Sequence, residues 1–270
     1  MSTDKDASVD AGEVGILNAP LGPAPEGIPT ALRDREAWVC WHVGCRNCHT
    51  TVEYGVETCP ECGEDTSKIP DDPTSGRYAS STDSATWTRF EAALAYHERE
   101  HTDTEGVGYV FTEDGPFVGV DLDNCRDPET GDLDPWAADA IERCASYAAV
   151  SSSGTGIHIL AVGELPEGGN RSGNVEMYED ARYFALTGVH IDGTPEEPQS
   201  AQDAIDVYSL YGGLTRATGS LLRGDVDLLA LGAAVQGRWC VGVRRPRFCR
   251  SHTRDPSVGV TLTPLPCCAG

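Results

Sequence analysis

Asp121 and Asp123 close the apolar run Phe117-Val-Gly-Val-Asp-Leu-Asp123, one residue apart. Side chains alternate faces along a strand, so a strand here sends both carboxylates to one side and Val118, Val120 and Leu122 into a core. Two carboxylates fixed together repel each other unless a cation lies between them, and hard oxygen ligands suit Mg2+ or Mn2+. Solvated strand ends carry the same D-x-D pattern, so the pair needs partners elsewhere in the chain. A calcium loop starting at Asp121 is excluded, because its sixth position is not Gly and its twelfth is not Glu.

A second chemistry lies earlier. Cys45-Arg-Asn-Cys48 and Cys59-Pro-Glu-Cys62-Gly63 are two C-x2-C pairs separated by ten residues, a tetrahedral thiolate set for Zn2+. Four cysteines leave no open coordination position, so such a site serves structure or recognition. His49 adjoins a ligand, but the cysteines already satisfy the metal. Further on, Ser151-Ser-Ser-Gly-Thr-Gly-Ile-His158 joins a small-residue loop to a strand. The loop lets backbone N–H groups approach a ligand closely, and His158 can hydrogen-bond a phosphate oxygen. A lone histidine in a strand is also a common structural residue.

These groups need elements to hold them. Trp38-Val-Cys-Trp41 reads as a first strand, aromatic and β-branched. Lys68 to Arg77 reads as turn chemistry carrying two cations. Thr82-Asp83-Ser84 offers N-caps for a helix to about Glu100, with Trp87, Phe90, Leu94 and His97 at helical spacing and His97 part of that face. Gly106–Phe111 is an expected strand, Glu113-Asp114-Gly115 a hairpin turn, and 117–123 the returning strand. Asp134-Pro135 starts a helix running to Ala148 that buries Trp136, Ala140, Ile141, Cys144 and Tyr147. Cys125 and Cys144 read as small core residues. Asn174–Tyr178 is a short strand with Glu176 facing away from Val175 and Met177. It leads through Arg182 into a strand over Tyr183–Gly188, and a helix near Gln199–Tyr211 ends at Gly212-Gly213.

A chain of 270 residues supports one good core with a small satellite module. Asp and Glu number 43 against 20 Lys and Arg, a net charge of −23, and lysine occurs only as Lys5 and Lys68. On charge alone a polyanionic partner is disfavoured. The same acidity with ordinary apolar content suits a high-salt cytoplasm, where screening acts over roughly 3 Å at 1 M and nucleic acid remains a possible partner. Residues 1–27 read as a disordered acidic lead-in. With no signal peptide and no apolar run of the ~20 residues that span a bilayer, the expectation is a cytoplasmic protein without membrane contact, its eleven cysteines thiols or ligands. From about Gly237 the chain turns basic: six Arg and one Asp give +5, leaving −28 on the preceding 236 residues. That stretch reads either as a nucleic-acid-binding tail or as an ending not selected with the rest, such as an out-of-frame one. Cys240, Cys249, His252, Cys267 and Cys268 show no ligand spacing.

The order D-x-D on a strand, S-x-S-G-x-G-x-H, then an acid on a strand followed by Arg-Tyr-Phe resembles the catalytic core of the archaeo-eukaryotic primase superfamily. Primase-polymerases of plasmids, viruses and integrated elements are the nearest in pattern. The resemblance runs from about Pro29 to Gly193 and includes Gly76-Arg-Tyr-Ala-Ser-Ser-Thr-Asp83 and Asp134-Pro-Trp136. It implies an α+β fold: an RRM-like antiparallel or mixed sheet with packed helices, over residues 28–213. Many relatives run from the first strand straight into a Lys-Pro segment, so residues 43–66 are expected as a zinc-ribbon insertion, and 214–270 as a poorly ordered tail.

The implied activity is nucleotidyl transfer to a 3′-OH on a single-stranded or primed DNA template, from NTPs or dNTPs, in the replication of a mobile element, with a haloarchaeal source suggested by the acidity. Asp121, Asp123 and Glu176 would hold two Mg2+ or Mn2+ ions. His158 and Ser153 would contact the nucleotide's phosphates, and Arg182, Lys68 and Arg77 would offset their charge. Glu as the third acid is one methylene longer than the usual Asp. No helicase domain follows, which implies a fragment, a decayed gene, or a separate helicase partner. The alternative is an inactive zinc-ribbon adaptor that grips nucleic acid. A metal-dependent phosphohydrolase would need more His or Asp ligands than the chain supplies.

Overall fold

In the computed structural model, residues 19–166 and 170–206 are described. The expected acidic lead-in through residue 18, the end of the last helix and the basic tail lie outside them. Order begins before Ile28: the Leu21 N–H donates to the Ser152 carbonyl at 2.9 Å and Ala24 N–H to that of Thr187 at 2.6 Å.

Two sheets form the body. In the first, β1 (Trp38–Gly44) pairs with β2 (Ser67–Asp72) on one side and β4 (Gly106–Phe111) on the other, with β3 (Arg77–Tyr78) and β10 (Arg182–Ala185) at the edges, all antiparallel. The second runs β11-β7-β5-β9-β8, from β5 (Phe117–Leu122), β7 (Ile157–Val162), β8 (Arg171–Ser172), β9 (Val175–Tyr178) and β11 (Gln199–Ser200). β6 (Tyr147–Val150) pairs with β7 on the edge away from β5, and β11 lies parallel to the end of that edge.

The layers follow from side-chain alternation. Val118, Val120, Leu122, Ile157, Ile159 and Met177 face α3 (Pro135–Cys144), whose Ala137, Ala140, Ile141 and Cys144 complete that core with Cys125. The opposite face, with Phe117, Tyr147 and Leu160, meets Tyr109, Phe111 and Phe184 of the first sheet. After the short helix α1 (Thr30–Arg33), helix α2 (Phe90–His97) packs on β1, Phe90 edge-on to Trp38 at 4.8 Å and the Cys40 thiol donating to the Ala93 carbonyl at 3.2 Å. Every residue of β1 and β4 is buried, which accounts for their near-continuous apolar runs.

Several expectations change. The strands 106–111 and 117–122 are not a hairpin; they belong to different sheets. Of the turn expected over Lys68 to Arg77, residues 68–72 instead belong to β2, because pairing with β1 outweighs the poor strand propensity of Lys, Pro and Asp. The helix expected from Thr82 is split. Asp83 caps a 3-10 turn at Ser84–Thr86, then Thr88 exchanges two backbone bonds with Trp38 before α2 starts. Helix α3 stops at Cys144 on a left-handed Ala145, and Tyr147 belongs to β6. Gln199-Ser200 is a strand, and among the described residues of that segment 202–206 are helical.

Gly119 is dictated by packing. A Cβ there would lie 2.4 Å from Phe111 Cζ and 2.5 Å from Phe184 Cε2. Both rings are buried between the sheets, so Gly119→Ala is expected to destabilise by about 1–3 kcal/mol. Urea unfolding at fixed high salt measures this, and an unchanged midpoint would refute the close approach.

Candidate active site

β5 is flanked by β7 and β9, and its register sets Asp121 opposite His158 on one side and Glu176 on the other. Residues at one register position point to the same face. This is the face that meets the first sheet, since Gly119 on the same side of β5 lies against Phe111 and Phe184. Asp123 lies just beyond the strand end, its N–H bonded to the Asn174 carbonyl at 2.8 Å. A row of His158, Asp121, Glu176 and, from β8, Arg171 thus crosses four strands.

Asp121 and His158 line a cavity of about 220 Å3 together with Arg46, Ser67, Lys68 and Arg182. Burial pushes the Asp121 carboxyl up to about 6, with Lys68 opposing and Glu176 adding. Burial also raises Asp123, reinforced by Asp121 and Glu176. Both carboxyls are held at a cost to their ionised form that a nearby cation would relieve, but among the described residues the four cysteines are the one group of three or more Cys, His, Asp or Glu side chains whose ligand atoms converge closely enough for one metal ion. Glu176 differs: Arg171 contacts its Oε1 at 2.9 Å, and Tyr178 donates to Oε2, with Arg182 at 3.9 Å.

His158 is buried and stacked on Phe184, ring centroids 4.5 Å apart. Burial, aided by Lys68, pushes its pKa down to about 3, so the ring is neutral at pH 7. Its Nε2 is 3.5 Å from Asp121 Oδ1, and its Nδ1 has no hydrogen-bond partner among the described residues. Lys68 Nζ donates to Ser152 Oγ at 2.6 Å and lies 5.4 Å from the Trp41 ring centroid. Burial lowers its pKa, while Asp121 and Asp123 pull the other way. Arg182 lies over the Tyr178 ring at 4.8 Å.

Two candidates stand apart from this group. The Ser153 hydroxyl bonds Ser151 and Thr155 within its own loop, and its neighbour Ser152 is the one that meets Lys68. Arg77 is exposed on edge strand β3 and is not among the residues lining the cavity. Arg46, Ser152, Arg171 and Tyr178 are partners that sequence reasoning missed. Only Arg171 had a signal: Gly173-Asn174 between two short runs is a hairpin dipeptide, and a two-residue turn there puts Arg171 opposite Glu176.

The four cysteines come together between β1 and β2. Their sulfurs all lie within 4.8 Å of one another, with Cys45–Cys62 and Cys48–Cys59 at 3.4 Å. A tetrahedron with Zn–S bonds of ~2.3 Å has edges of about 3.8 Å, so the thiols are placed to hold one zinc ion. Both knuckles have the same turn. The N–H groups of His49 and Gly63 donate to the carbonyls of Cys45 and Cys59, each at 2.9 Å, and those of Cys45 and Cys59 donate to Thr50 and Glu64. His49, at φ 60°, occupies the left-handed position that Gly63 takes at φ 74°, and its ring lies 5.4 Å from Tyr78. His97 bonds Thr104 at 3.0 Å, away from any metal group.

No protein-family model matches the chain. It is 35% identical over 132 residues to a DNA primase-polymerase of the Nitratiruptor phage NrS-1, a match covering 47% of this chain and 18% of that protein. The chain is therefore similar to a primase-polymerase over part of its length and matches less than a fifth of that relative. Among the described residues no helix is long and apolar enough to cross a membrane.

Proposed function

We propose that this chain is the catalytic module of a primase-polymerase, a nucleotidyl transferase that extends a 3′-OH on a single-stranded or primed DNA template. The observation that carries the reading is the register match of His158, Asp121 and Glu176 across three adjacent strands, with His158 and Asp121 lining a cavity shared with Lys68 and Arg182. The similarity to a phage DNA primase-polymerase supports it independently. The order β9-β5-β7-β6, with α3 between β5 and β6, also supports the RRM-like reading of the second sheet.

Asp121 and Asp123 would hold Mg2+ or Mn2+, with Glu176 joining if it releases Arg171 or Tyr178. The metal, when bound, would acidify the attacking 3′-OH and offset charge at the α-phosphate. Lys68 and Arg182 would neutralise the phosphates of an incoming NTP or dNTP. His158, held neutral, would act on a phosphate as a hydrogen-bond donor and not as a cation. The zinc-ribbon insertion expected over residues 43–66 would sit in the hairpin between β1 and β2, its first two residues belonging to β1, and a separate helicase would open the template.

Extension of a primed single-stranded template tests this, using protein purified at high salt with Mg2+ or Mn2+ and dNTPs or NTPs. Extension by the wild type and its loss in Asp121→Ala/Asp123→Ala supports the proposal. Equal extension by both, or none by either, ends it, and DNA binding without extension identifies an adaptor.

A further inference from the structure

Arg46 is a residue between two zinc ligands, yet its side chain lines the same cavity as Asp121, His158, Lys68 and Arg182. Its Nε donates to Ser67 Oγ at 3.2 Å, one residue before Lys68 on β2. The knuckle grows directly from β1, which ends at Gly44, and the hydrogen bonds of Cys45 to Thr50 and His49 fix the backbone on either side of Arg46. Nothing in a structural zinc site requires an arginine aimed away from the metal into a neighbouring cavity.

The charge pattern sharpens this. Acids outnumber Lys and Arg by 43 to 20 in this chain, so a cation has carboxylates available. Among the described residues, however, neither Arg46 nor Lys68 has a salt-bridge partner, and their side-chain hydrogen bonds go to serine hydroxyls. Arg182 makes only a long, 3.9 Å approach to Glu176. His158 and Tyr183 also line the cavity, although His158 Nδ1 and the Tyr183 hydroxyl are themselves closed off from solvent and have no hydrogen-bond partner among the described residues. Three cations from three separate segments around one cavity describe a polyanion site. Divalent cations on Asp121 and Asp123 would leave these side-chain charges uncompensated until an anionic ligand arrives.

We infer that Arg46 is a ligand for the triphosphate of the incoming nucleotide, and that the zinc knuckle positions it, so that nucleotide affinity depends on bound zinc. This rests on the nucleotidyl-transferase reading, and it gives the ribbon a role inside the active site. The guanidinium can bind a phosphate oxygen pair in its planar fork, which Lys in the same place cannot.

The test is calorimetric titration of dATP, and separately of inorganic tripolyphosphate, into zinc-loaded protein with Ca2+ in place of Mg2+. Arg46→Ala is expected to weaken both ligands about tenfold or more while retaining one zinc per chain, and Arg46→Lys to recover part of the loss. Removing zinc from the wild type with a chelator should weaken dATP to a similar degree, and should add little in Arg46→Ala. Unchanged dATP affinity in zinc-loaded Arg46→Ala overturns the inference, and so does a zinc-free, folded wild type that binds as tightly as the holoprotein. If the wild type extends primers while Arg46→Ala keeps its KM, only this inference fails. If the wild type neither binds dATP nor extends, the nucleotidyl-transferase reading fails with it.

Discussion

Asp121→Ala/Asp123→Ala is expected to reduce primer extension by at least about a thousandfold while leaving the metal-free protein no less stable than wild type. The first half follows from the role proposed for the pair: charge stabilisation at a metal-assisted displacement is usually the largest single contribution to such a rate, and nothing else in the cavity can replace it. The second half follows from what the fold imposes on these groups. Burial holds Asp121 at about 6 and raises Asp123, so both pKa values stand above those of the unfolded chain. A raised carboxyl pKa means that the ionised form is disfavoured by folding. The cost is absent below the unfolded pKa of 3.8, grows as pH rises through the window up to about 6, and is fully present at neutral pH. Removing the carboxyls removes that cost. The measurement is paired: extension kinetics with Mn2+, and thermal unfolding in EDTA at pH 7.5. A variant that loses extension and also unfolds at a much lower temperature would show that the two aspartates are structural.

Loss of zinc is expected to produce the second large effect, on stability. Cys45 and Cys59 are buried, and the loop they anchor joins β1 to β2, the strand that carries Lys68. Structural zinc contributes about 10–16 kcal/mol of binding free energy in isolated finger peptides, much of it used to fold them. Here β1 is also held by β4 and α2, so only part of that energy reaches global stability. A loss of several kcal/mol in Cys45→Ser corresponds to a fall of roughly 10 °C in a domain of this size, at about 2–4 °C per kcal/mol. Metal analysis should give one zinc per chain in the wild type and far less in the variant. A wild type purified with much less than one zinc, or a Cys45→Ser variant of unchanged melting temperature, would sink the assignment.

Local rules reached far into this chain. Alternation along a strand depends only on neighbouring residues, so the faces of Asp121, His158 and Glu176 could be read from Val118-Gly-Val-Asp-Leu, Ile157-His-Ile and Val175-Glu-Met before any pairing was known. The two knuckles were legible for the same reason, since a C-x2-C turn closes on its own backbone. What sequence could not supply was the partner of each strand. Phe111 and Phe117 are joined by a short turn-like segment and bury into one core, yet their strands enter different sheets, because the backbone of β4 pairs with β1 and β10 and that of β5 with β7 and β9. Ser67-Lys-Ile-Pro-Asp-Asp72 has almost no strand propensity and becomes a strand only because β1 offers its edge and His42 binds Asp71 at 2.7 Å.

Tertiary structure also chose among similar residues. It set Ser152, not Ser153, against Lys68, left Arg77 on an outer edge, and placed Arg46, from between Cys45 and Cys48, on the cavity that Asp121 lines. The sequence by itself determined which side chains could act and which way each strand would point them. Register and sheet order, set by burial and by closing backbone hydrogen bonds between residues far apart in the chain, decided which of them meet.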